Sequence, residues 1–397
     1  MVKTLMPENN YLVRSPLLNP RQRVLGYKLA WQKKYGLTGT AGPVKLVSGL
    51  QGDSWPSILF LQGNPLVLSA SERQAMAPNN MVWVLDHEML SETDYCALAA
   101  LREEGFGLAL RGVSPAFVQA NQALLCMMTH LEIHSDAVKM TEILDLVKQH
   151  HPAISVVAGQ SDQWSDFETC ASLGIPVFFE ALCRSPRTTS TSGVLTSQAK
   201  LILQLMQMVQ ENADVWHLEK LLKSDAILSY KLFRYINSAS FGIEVEIQSL
   251  RHAVTMLGYT PLFRWLSLLL VMASNEGFSP ALLQAAVVRG RLVELLGQGR
   301  LSKGEMDDLF VVGMFSLLGQ MLGMPISQVL NRLVLPDAIV QALLSREGKY
   351  GPFLLLAEAC EYENGCAADL ADALCLTAEN VNNSHLSALV WAQSVKF

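Results

Sequence analysis

In the first half of the chain, short apolar runs alternate with stretches in which apolar residues recur at helical spacing. Such runs predict buried strands, and the stretches between them predict helices. The runs fall at 57–61, 81–85, 107–110, 131–134, 154–158 and 177–179, and the helical stretches at 92–104, 116–128, 136–150 and 165–173. Apolar strands that alternate with helices predict a parallel sheet, and this number of units suits a (β/α) barrel, complete or incomplete.

The pattern changes after the segment 187–196, RTTSTSGVLT, which is small and polar as is typical of a linker. Helical spacing then replaces the strand pattern. Helices are predicted within 197–224 and at 225–237, 248–257, 261–273, 280–296, 306–322, 326–331, 337–344, 350–362 and 367–374. We therefore expect one domain at 1–186 and an all-α domain at 197–397 that folds independently.

Residues 309–326 carry no charged side chain and imitate a membrane span. A spanning helix needs about 20 predominantly apolar residues, whereas this run contains Ser316 and Gln320 and is broken by Pro325. We interpret it as a buried helix. The N-terminal sequence has no apolar stretch of the signal-peptide kind, so we expect a cytoplasmic protein with no membrane association.

Composition narrows the class of protein. Half of the 397 residues are hydrophobic and only 17% are charged, which excludes a disordered chain and suffices for two cores. The 30 basic and 36 acidic residues give a net charge of −6 without an evident basic stripe, so we expect no nucleic-acid partner.

The seven cysteines contain no CxxC pair, which argues against structural zinc. Most lie in apolar surroundings, so we expect a reduced chain with buried thiols, Cys126 and Cys170 among them. The sequence also lacks the P-loop, GxSxG, HExxH and post-strand GxGxxG patterns of common enzymes. We therefore expect no cofactor.

Three segments of the first half carry a family resemblance. They are RSP at 14–16 with RVLGYKLAW at 23–31, GFGLAL at 105–110, and FET at 167–169 with LG at 173–174 and RSP at 184–186. In this order they resemble EAL domains, which are barrel enzymes that hydrolyse cyclic di-GMP. The resemblance implies acidic residues at strand ends that hold two divalent cations.

The positions that correspond to those ligands hold other residues here. Lys28 stands where the glutamate of the Glu-Ala-Leu motif belongs, and Val84 where a strand glutamate is expected. Arg111 and Gly112 replace an aspartate pair. Glu132 and His134 occupy the Lys-x-Asp strand, Gly159 replaces a further glutamate, and Phe179 replaces a glutamine.

Lys28 and Arg111 put positive charge where two metal ions need carboxylates, so we expect no phosphodiesterase activity. We expect the two cations to pair with carboxylates such as Asp86 or Glu132. The alternative is that Arg14, Lys28 and Arg111 bind a phosphate of a cyclic dinucleotide without cleaving it. We regard that as the second interpretation.

The second half resembles HDOD domains. The resemblance rests on SDAIL at 224–228, LFRYINSA at 232–239 with the loop residues Asn237 and Ser238, and on IQSL at 247–250, AV at 253–254 and LG at 257–258. HDOD domains are similar to HD-type phosphohydrolases without the metal-binding His-Asp pair. Ser316 and Leu317 stand at that pair's place here, and Leu317 cannot bind a metal.

An EAL-like segment followed by an HDOD-like segment is similar to the order of domains in the EAL–HDOD signalling proteins of bacteria. The two resemblances imply a fold of an EAL-like (β/α) barrel followed by an HDOD helical bundle. They also imply a regulatory protein without turnover that contacts other signalling proteins in cyclic di-GMP-related regulation. The alternatives are a receptor that binds a cyclic dinucleotide without hydrolysing it and, third, a residual phosphodiesterase.

Overall fold

Eight strands of the first half close into a barrel in the computed structural model, which describes most of the chain. The described residues are 10–32, 58–74, 76, 80–133, 137–161, 164–180, 196–225, 228, 230, 232, 247, 249–273, 280–331, 333, 335–361 and 366–395. The chain divides into two units, Met1–Ser185 with Cys360–Ala368, and Pro186–Ala359 with Asp369–Phe397. Each unit is described by itself below.

The barrel strands are neighbours in chain order, and the eighth returns to the first. The strands are β1 (Leu12–Leu18), β2 (Val24–Trp31), β3 (Ile58–Gln62), β4 (Met81–Asp86), β5 (Gly107–Arg111), β6 (His130–Ile133), β7 (Ser155–Ser161) and β8 (Val177–Glu180). β1 runs antiparallel to β2 and β8, and the other pairs are parallel. The six predicted strands are present, whereas β1 and β2 were not predicted.

Helices connect the parallel strands, as the alternating pattern predicted. They are α1 (Ala70–Gln74), α2 (Tyr95–Glu103), α3 (Pro115–Ala120), α4 (Gln122–Leu125), α5 (Ala137–His150) and α6 (Trp164–Ser172). The single helix predicted at 116–128 is wrong. It is interrupted at Asn121, whose backbone leaves the helical region at φ −115° and ψ 47° and whose side-chain amide donates to the Phe117 carbonyl at 3.0 Å. A local side-chain bond of this kind competes with helix continuation.

The barrel interior is filled by side chains from alternate strand positions, since successive residues of a strand face opposite sides. Leu17, Phe60, Val82, Val84, Ala109 and Val157 form one buried cluster there. The residues that follow this apolar cluster along the parallel strands lie at the carboxyl end of the barrel, where sites of such folds are found.

The second unit is helical throughout its described residues. Its helices are α7 (Ser197–Gln210), α8 (Val215–Leu222), α9 (Leu250–Leu257), α10 (Tyr259–Ala273), α11 (Pro280–Leu296), α12 (Lys303–Phe315), α13 (Leu318–Met321), α14 (Ile326–Leu330), α15 (Asp337–Ser345), α16 (Gly351–Ala359), α17 (Ala367–Ala373) and α18 (Ala378–Ser394). The first two residues of α17 belong to the first unit. The fold class, a (β/α) barrel followed by a helical domain, is therefore confirmed.

Two helix predictions are corrected. The helix predicted at 306–322 is two helices, α12 and α13, separated at Ser316 and Leu317. The C-terminal helix α18 was not predicted. None of the described helices is long and apolar enough to cross a membrane.

Helices α11 and α12 pack at very short range. A Cβ atom built at Gly313 of α12 would lie 2.7 Å from the Arg289 carbonyl oxygen and from the Gly290 Cα of α11. Only glycine fits such a contact between backbones. The crossing fixes the side chains that flank these glycines, including Arg289 and Ser316.

Charged side chains are buried beside the same crossing. Arg264 of α10 donates from Nη1 and Nη2 to both oxygens of Glu294 at 2.7 and 2.8 Å, and from Nη1 to Asp307 at 3.1 Å. Its guanidinium carbon lies 3.8 Å from the centre of the Phe310 ring. The two carboxylates and the ring offset most of the cost of burying this cation, although its Nε has no hydrogen-bond partner among the described residues.

The prediction of buried thiols is only partly right. Cys170 and Cys360 are buried, whereas Cys96, Cys126, Cys366 and Cys375 are exposed. Cys126 lies at the C-terminal end of α4, where its apolar sequence neighbours, and not the thiol, face the core. Cys183 lies outside the described residues.

Candidate functional site

The positions singled out by the EAL resemblance lie towards the carboxyl ends of barrel strands. Arg111 follows the inward-facing Ala109 by two residues, and Gly159 follows Val157 in the same way. Phe179 follows Val177 on β8. Alternation therefore places Arg111 on the inner face of the barrel. His134 lies outside the described residues.

Lys28 and Glu132 form an ion pair across the barrel. The lysine Nζ lies 3.0 Å from Glu132 Oε1, and the two side chains are only 3% and 2% exposed. Glu132 Oε2 is buried without a hydrogen-bond partner among the described residues. The predicted pairing of Lys28 with a nearby carboxylate is thus confirmed. Because both side chains are buried, water screens the attraction between them very little.

Arg111 and Asp86 form the second pair at this end of the barrel. Arg111 Nε donates to Asp86 Oδ1, and Nη2 donates to Oδ2 at 3.3 Å. The two residues are also partners in the register of β4 and β5. The predicted pairing of Arg111 is confirmed, and the carboxylate nearest to it is already neutralised by a forked, two-bond contact.

Gly112 follows in the left-handed region, at φ +76°. A Cβ atom there would lie 3.1 Å from His87 Nδ1, and that nitrogen is 3.2 Å from the Arg111 carbonyl oxygen. The His87 ring is itself held edge-on against Phe117 at 4.8 Å between ring centres. The local backbone therefore favours glycine where the resemblance places an aspartate.

Val84 and Gly159 offer no metal-binding atom in their side chains. Val84 is 2% exposed and belongs to the apolar cluster that fills the barrel. No group of three or more His, Cys, Asp or Glu residues suited to a metal ion occurs in the part of the chain that the structure describes. Among the described residues, those at the positions singled out by the resemblance therefore do not supply the carboxylates that two divalent cations need.

Gln62 is a further polar residue of this region, and the family resemblance does not single it out. It ends β3, in register with Val84, and is half-buried. Its Oε1 has no hydrogen-bond partner among the described residues. The spacing Ile58, Phe60, Gln62 could have identified it, because these residues share one face of the strand.

The second candidate position lies in the helical unit. Ser316 ends α12, and Leu317 is 2% exposed. Arg289 Nη1 donates to Ser316 Oγ at 2.8 Å and lies 3.5 Å from Glu358 Oε1. A guanidinium group therefore lies beside the position to which the resemblance assigns the His-Asp pair of HD enzymes. Asn237 and Ser238 lie outside the described residues.

Comparison with known proteins finds a family match for part of the helical half. Residues 195–330 match the sequence model of the HDOD domain. This part of the chain is an HDOD domain. The HDOD domain begins just before α7 and ends with α14, so it includes the Arg289–Ser316 contact.

Two curated relatives extend over nearly the whole chain. The cyclic di-GMP phosphodiesterase CdgJ of Vibrio cholerae is 25% identical over 413 residues, which cover 97% of this chain and 93% of that protein. The uncharacterized protein YuxH of Bacillus subtilis is 22% identical over 405 residues, covering 97% and 98%. The chain is therefore similar to these relatives in both of its halves.

Solved structures of EAL proteins are more distant. A phosphodiesterase structure described as "PaMucR Phosphodiesterase, c-di-GMP complex" is 14% identical with a TM-score of 0.35, over 44% of this chain and 90% of that one. An EAL protein of Vibrio cholerae with c-di-GMP bound is 13% identical with a TM-score of 0.36, over 46% and 93%.

Proposed function

We propose that this protein is a non-catalytic component of cyclic di-GMP-related regulation that acts through contacts with other proteins. The HDOD domain at 195–330 and the similarity to CdgJ, a cyclic di-GMP phosphodiesterase, support the regulatory setting. The chemistry of the two candidate positions supports the absence of turnover.

The buried Lys28–Glu132 pair carries this proposal. Two unit charges of like sign about 4 Å apart repel by about 4 kcal/mol at an effective dielectric constant of roughly 20, and a divalent ion doubles that. An ion near Lys28 would meet this repulsion and would also compete for Glu132, which already accepts from the lysine at 3.0 Å. Metal-activated hydrolysis needs the opposite arrangement, with several carboxylates around each ion.

Arg111 supports the same conclusion. Its guanidinium cannot be deprotonated in a protein, and it holds Asp86 through two hydrogen bonds. Both cations of the barrel mouth are thus neutralised by carboxylates of the chain itself. Little net charge remains there to attract the phosphates of a cyclic dinucleotide.

The helical unit supports the proposal independently. Metal binding by an HD-type site needs histidine and aspartate ligands, and here Ser316 accepts a hydrogen bond from Arg289 at 2.8 Å. Neither candidate position is suited to metal chemistry. This favours a role in recognition over a role in catalysis.

A hydrolysis assay tests the proposal. We expect the purified chain to leave cyclic di-GMP intact in the presence of Mg²⁺ or Mn²⁺, and Lys28→Glu alone to restore no activity, because Val84, Arg111 and Gly159 still lack carboxylates. Product formation can be followed by chromatography against a sample without protein. Sustained turnover that disappears when Glu132 or Asp86 is replaced would overturn the proposal.

Calorimetry with cyclic di-GMP tests the receptor alternative. We expect no heat of binding, because the barrel-mouth cations already pair with Glu132 and Asp86. Saturable binding that is lost in an Arg111→Ala variant would replace the proposal with a non-hydrolysing receptor.

A further inference from the structure

Helix α8 of the helical unit places a tryptophan in solvent. Leu218 and Leu222 are buried and set the inner face of the helix. Trp216 is 53% exposed. It lies roughly 200° around the helix axis from Leu218, so it cannot reach the core that the leucines enter.

Trp216 leaves a large apolar surface in contact with water. A tryptophan buries about 150–250 Å² when it is covered, which makes it one of the largest apolar contributions that a residue can offer. Tryptophan is also enriched among the residues that dominate binding energy at protein interfaces. Covering Trp216 by a partner would therefore recover apolar area that the chain itself leaves in water.

Positive charge surrounds the ring. Lys220 Nζ lies 5.4 Å from the centre of the Trp216 ring, one helical turn further on. Lys223 follows on the same side, and its side chain is 76% exposed. The lysine lies within cation–π distance of the ring, so the charge and the apolar surface are next to each other on one face of the helix.

Two acidic side chains of this helix and its cap, Asp214 and Glu219, are engaged within the unit. Asp214 caps the helix by accepting from the Trp216 backbone N–H at 2.8 Å. Glu219 accepts from the Arg251 backbone N–H at 3.3 Å and lies 3.9 Å from Lys223. Glu219 is only 17% exposed against 76% for Lys223, so the outward charge of this face is positive.

We propose that Trp216, Lys220 and Lys223, which we name the Trp216 surface, dock an acidic segment of a partner protein that also presents apolar side chains. The ring takes the apolar side chains, and the two lysines take the carboxylates. The two lysines are opposite in sign to the net charge of −6 on the whole chain, and a locally basic face favours an acidic partner segment. This inference rests on the proposed role in protein contact.

A designed peptide tests the Trp216 surface on the full chain. The probe is a fluorescein-labelled amphipathic peptide of Leu, Glu and Ala, compared with the same peptide carrying Lys in place of Glu. Fluorine NMR of fluorotryptophan-labelled protein reports the contact, and a Trp216→Phe variant assigns the resonance. We expect the acidic peptide to shift the Trp216 resonance and the basic peptide to leave it in place.

Matched variants separate the surface from general charge effects. Trp216→Ala and the Lys220→Glu/Lys223→Glu double variant should each weaken peptide binding by roughly tenfold or more, the loss typical of central interface residues. Lys148→Glu on exposed α5 and Tyr230→Ala, which removes a side chain 64% exposed, are the controls and should leave binding unchanged. All of the substituted residues are exposed. Melting temperatures equal to that of the wild type verify that each variant is folded.

Other results would overturn the inference. Equal shifts with both peptides, or equal binding by the variants and the wild type, would remove the Trp216 surface. Preferential binding to anionic lipid vesicles or to single-stranded DNA would assign the surface to a different class of partner. Turnover of cyclic di-GMP with peptide binding intact would instead overturn the proposed function alone.

Discussion

Lys28 and Glu132 carry charges opposite to those that the EAL resemblance places at the same two positions. The EAL resemblance places a glutamate at position 28 and a lysine on the strand that here carries Glu132, and this chain has the reverse. A buried cation and a buried anion stabilise each other whichever strand supplies them, whereas either one alone is costly. Only a paired change therefore conserves the barrel.

This gives a prediction for stability. Lys28→Glu places two carboxylates together in a site that is 3% and 2% exposed, and we expect it to lower the free energy of unfolding by about 3–5 kcal/mol. The double variant Lys28→Glu/Glu132→Lys should recover most of that loss. Urea denaturation of the four proteins of the cycle measures the coupling.

Lys148→Glu is the control for the change of charge, because Lys148 is exposed on α5. It should shift stability by less than about 0.5 kcal/mol. Additive losses in the double variant would contradict a direct pair between Lys28 and Glu132.

Gly112 gives the second prediction at this scale. Its φ of +76° and the short approach to His87 oppose a side chain, so we expect Gly112→Ala to cost about 1 kcal/mol of unfolding free energy. Gly304→Ala is the matched control, because its Cβ would meet nothing within 4 Å and a helix favours alanine by about 1 kcal/mol. The melting temperature should fall in Gly112→Ala and rise in Gly304→Ala. A Gly112→Ala protein as stable as the wild type would contradict the proposal that a side chain is strained at position 112.

At the scale of elements, the interruption between α12 and α13 has a local cause. The apolar run that led to a continuous-helix prediction contains Ser316, whose Oγ donates to the Gly313 carbonyl at 2.6 Å and accepts from Arg289 at 2.8 Å. A serine that bonds to the preceding turn while a buried arginine holds it favours a helix end. Arg289 is 27 residues away in sequence, so hydropathy along the run carries no trace of it.

Strand and helix predictions succeeded where burial alone decides the pattern. The strands β3 to β8 are apolar runs, and they were predicted. β1 and β2 contain the buried ionic residues Arg14 and Lys28, which interrupt the apolar pattern. Helix α18 contains Asn380, Asn382 and Asn383, which are poor helix formers, and its packing in the tertiary structure overrides that preference.

The candidate site was predictable to a similar degree. The charges of Lys28 and Arg111 pointed to carboxylate partners, and the structure supplies Glu132 and Asp86. Gln62 was missed because an isolated glutamine has no charge to balance. The Arg289–Ser316 contact depends on the close crossing of α11 and α12, which single-sequence reasoning does not reach.

The first turn of α12 contains an acidic residue with a depressed pKa. A hydrogen bond from Lys349, followed by the backbone N–H and hydroxyl of Ser302, lowers the pKa of Glu305 to about 2. Because this folded-state pKa lies below the ordinary value of 4.5, the ionised carboxylate stabilises the fold above pH 4.5. That stabilisation is lost as the pH falls towards 2.

We therefore expect Lys349→Met to raise the pKa of Glu305 towards 4.5, since its largest cause is removed. Acid titration followed by NMR of the side-chain carboxyl carbon measures it. Lys303→Met, at an exposed lysine two residues before Glu305, is the control and should leave that pKa low. A pKa that stays near 2 in Lys349→Met would assign the effect to Ser302 alone.

The pKa of Asp308, on the same helix, is shifted in the opposite direction. Burial raises its pKa above 3.8, and the hydrogen bond from Tyr350 opposes that only in part. The protonated carboxyl therefore stabilises the fold. This stabilisation is fully present below pH 3.8 and is lost as the pH rises through the raised pKa. The two residues make α12 respond to acid in opposite directions.

At the scale of the whole molecule, the first unit includes residues from far along the chain. Cys360–Ala368 belongs to that unit. Arg14 of β1 donates to Glu361 at 2.8 Å, with side chains 4% and 10% exposed, and the Ala367 backbone N–H donates to the Gln32 side chain at 3.0 Å. The domain boundaries proposed from the sequence, 1–186 and 197–397, stay a prediction, and this segment is the place where they need testing.

Glu361→Gln tests the role of the segment. Removing one charge of a buried pair costs about 3–5 kcal/mol, and we expect the loss to appear as faster amide hydrogen exchange in β1 and β2 and not in α18. Glu347→Gln, at an exposed residue, is the control and should leave exchange unchanged. Faster exchange confined to the helical unit would show that residue 361 contributes nothing to the barrel.

The return of residues 360–368 to the barrel also sets an order of events during synthesis. Glu361 leaves the ribosome 347 residues after Arg14. At about 5–20 residues per second, that is a delay of roughly 20–70 seconds. For that interval the nascent barrel lacks the carboxylate that Arg14 will bind, so it is exposed to chaperones and proteases in an unfinished form. The barrel strands are therefore made before the helical unit, but the first unit is completed only after residues 360–368 have been made.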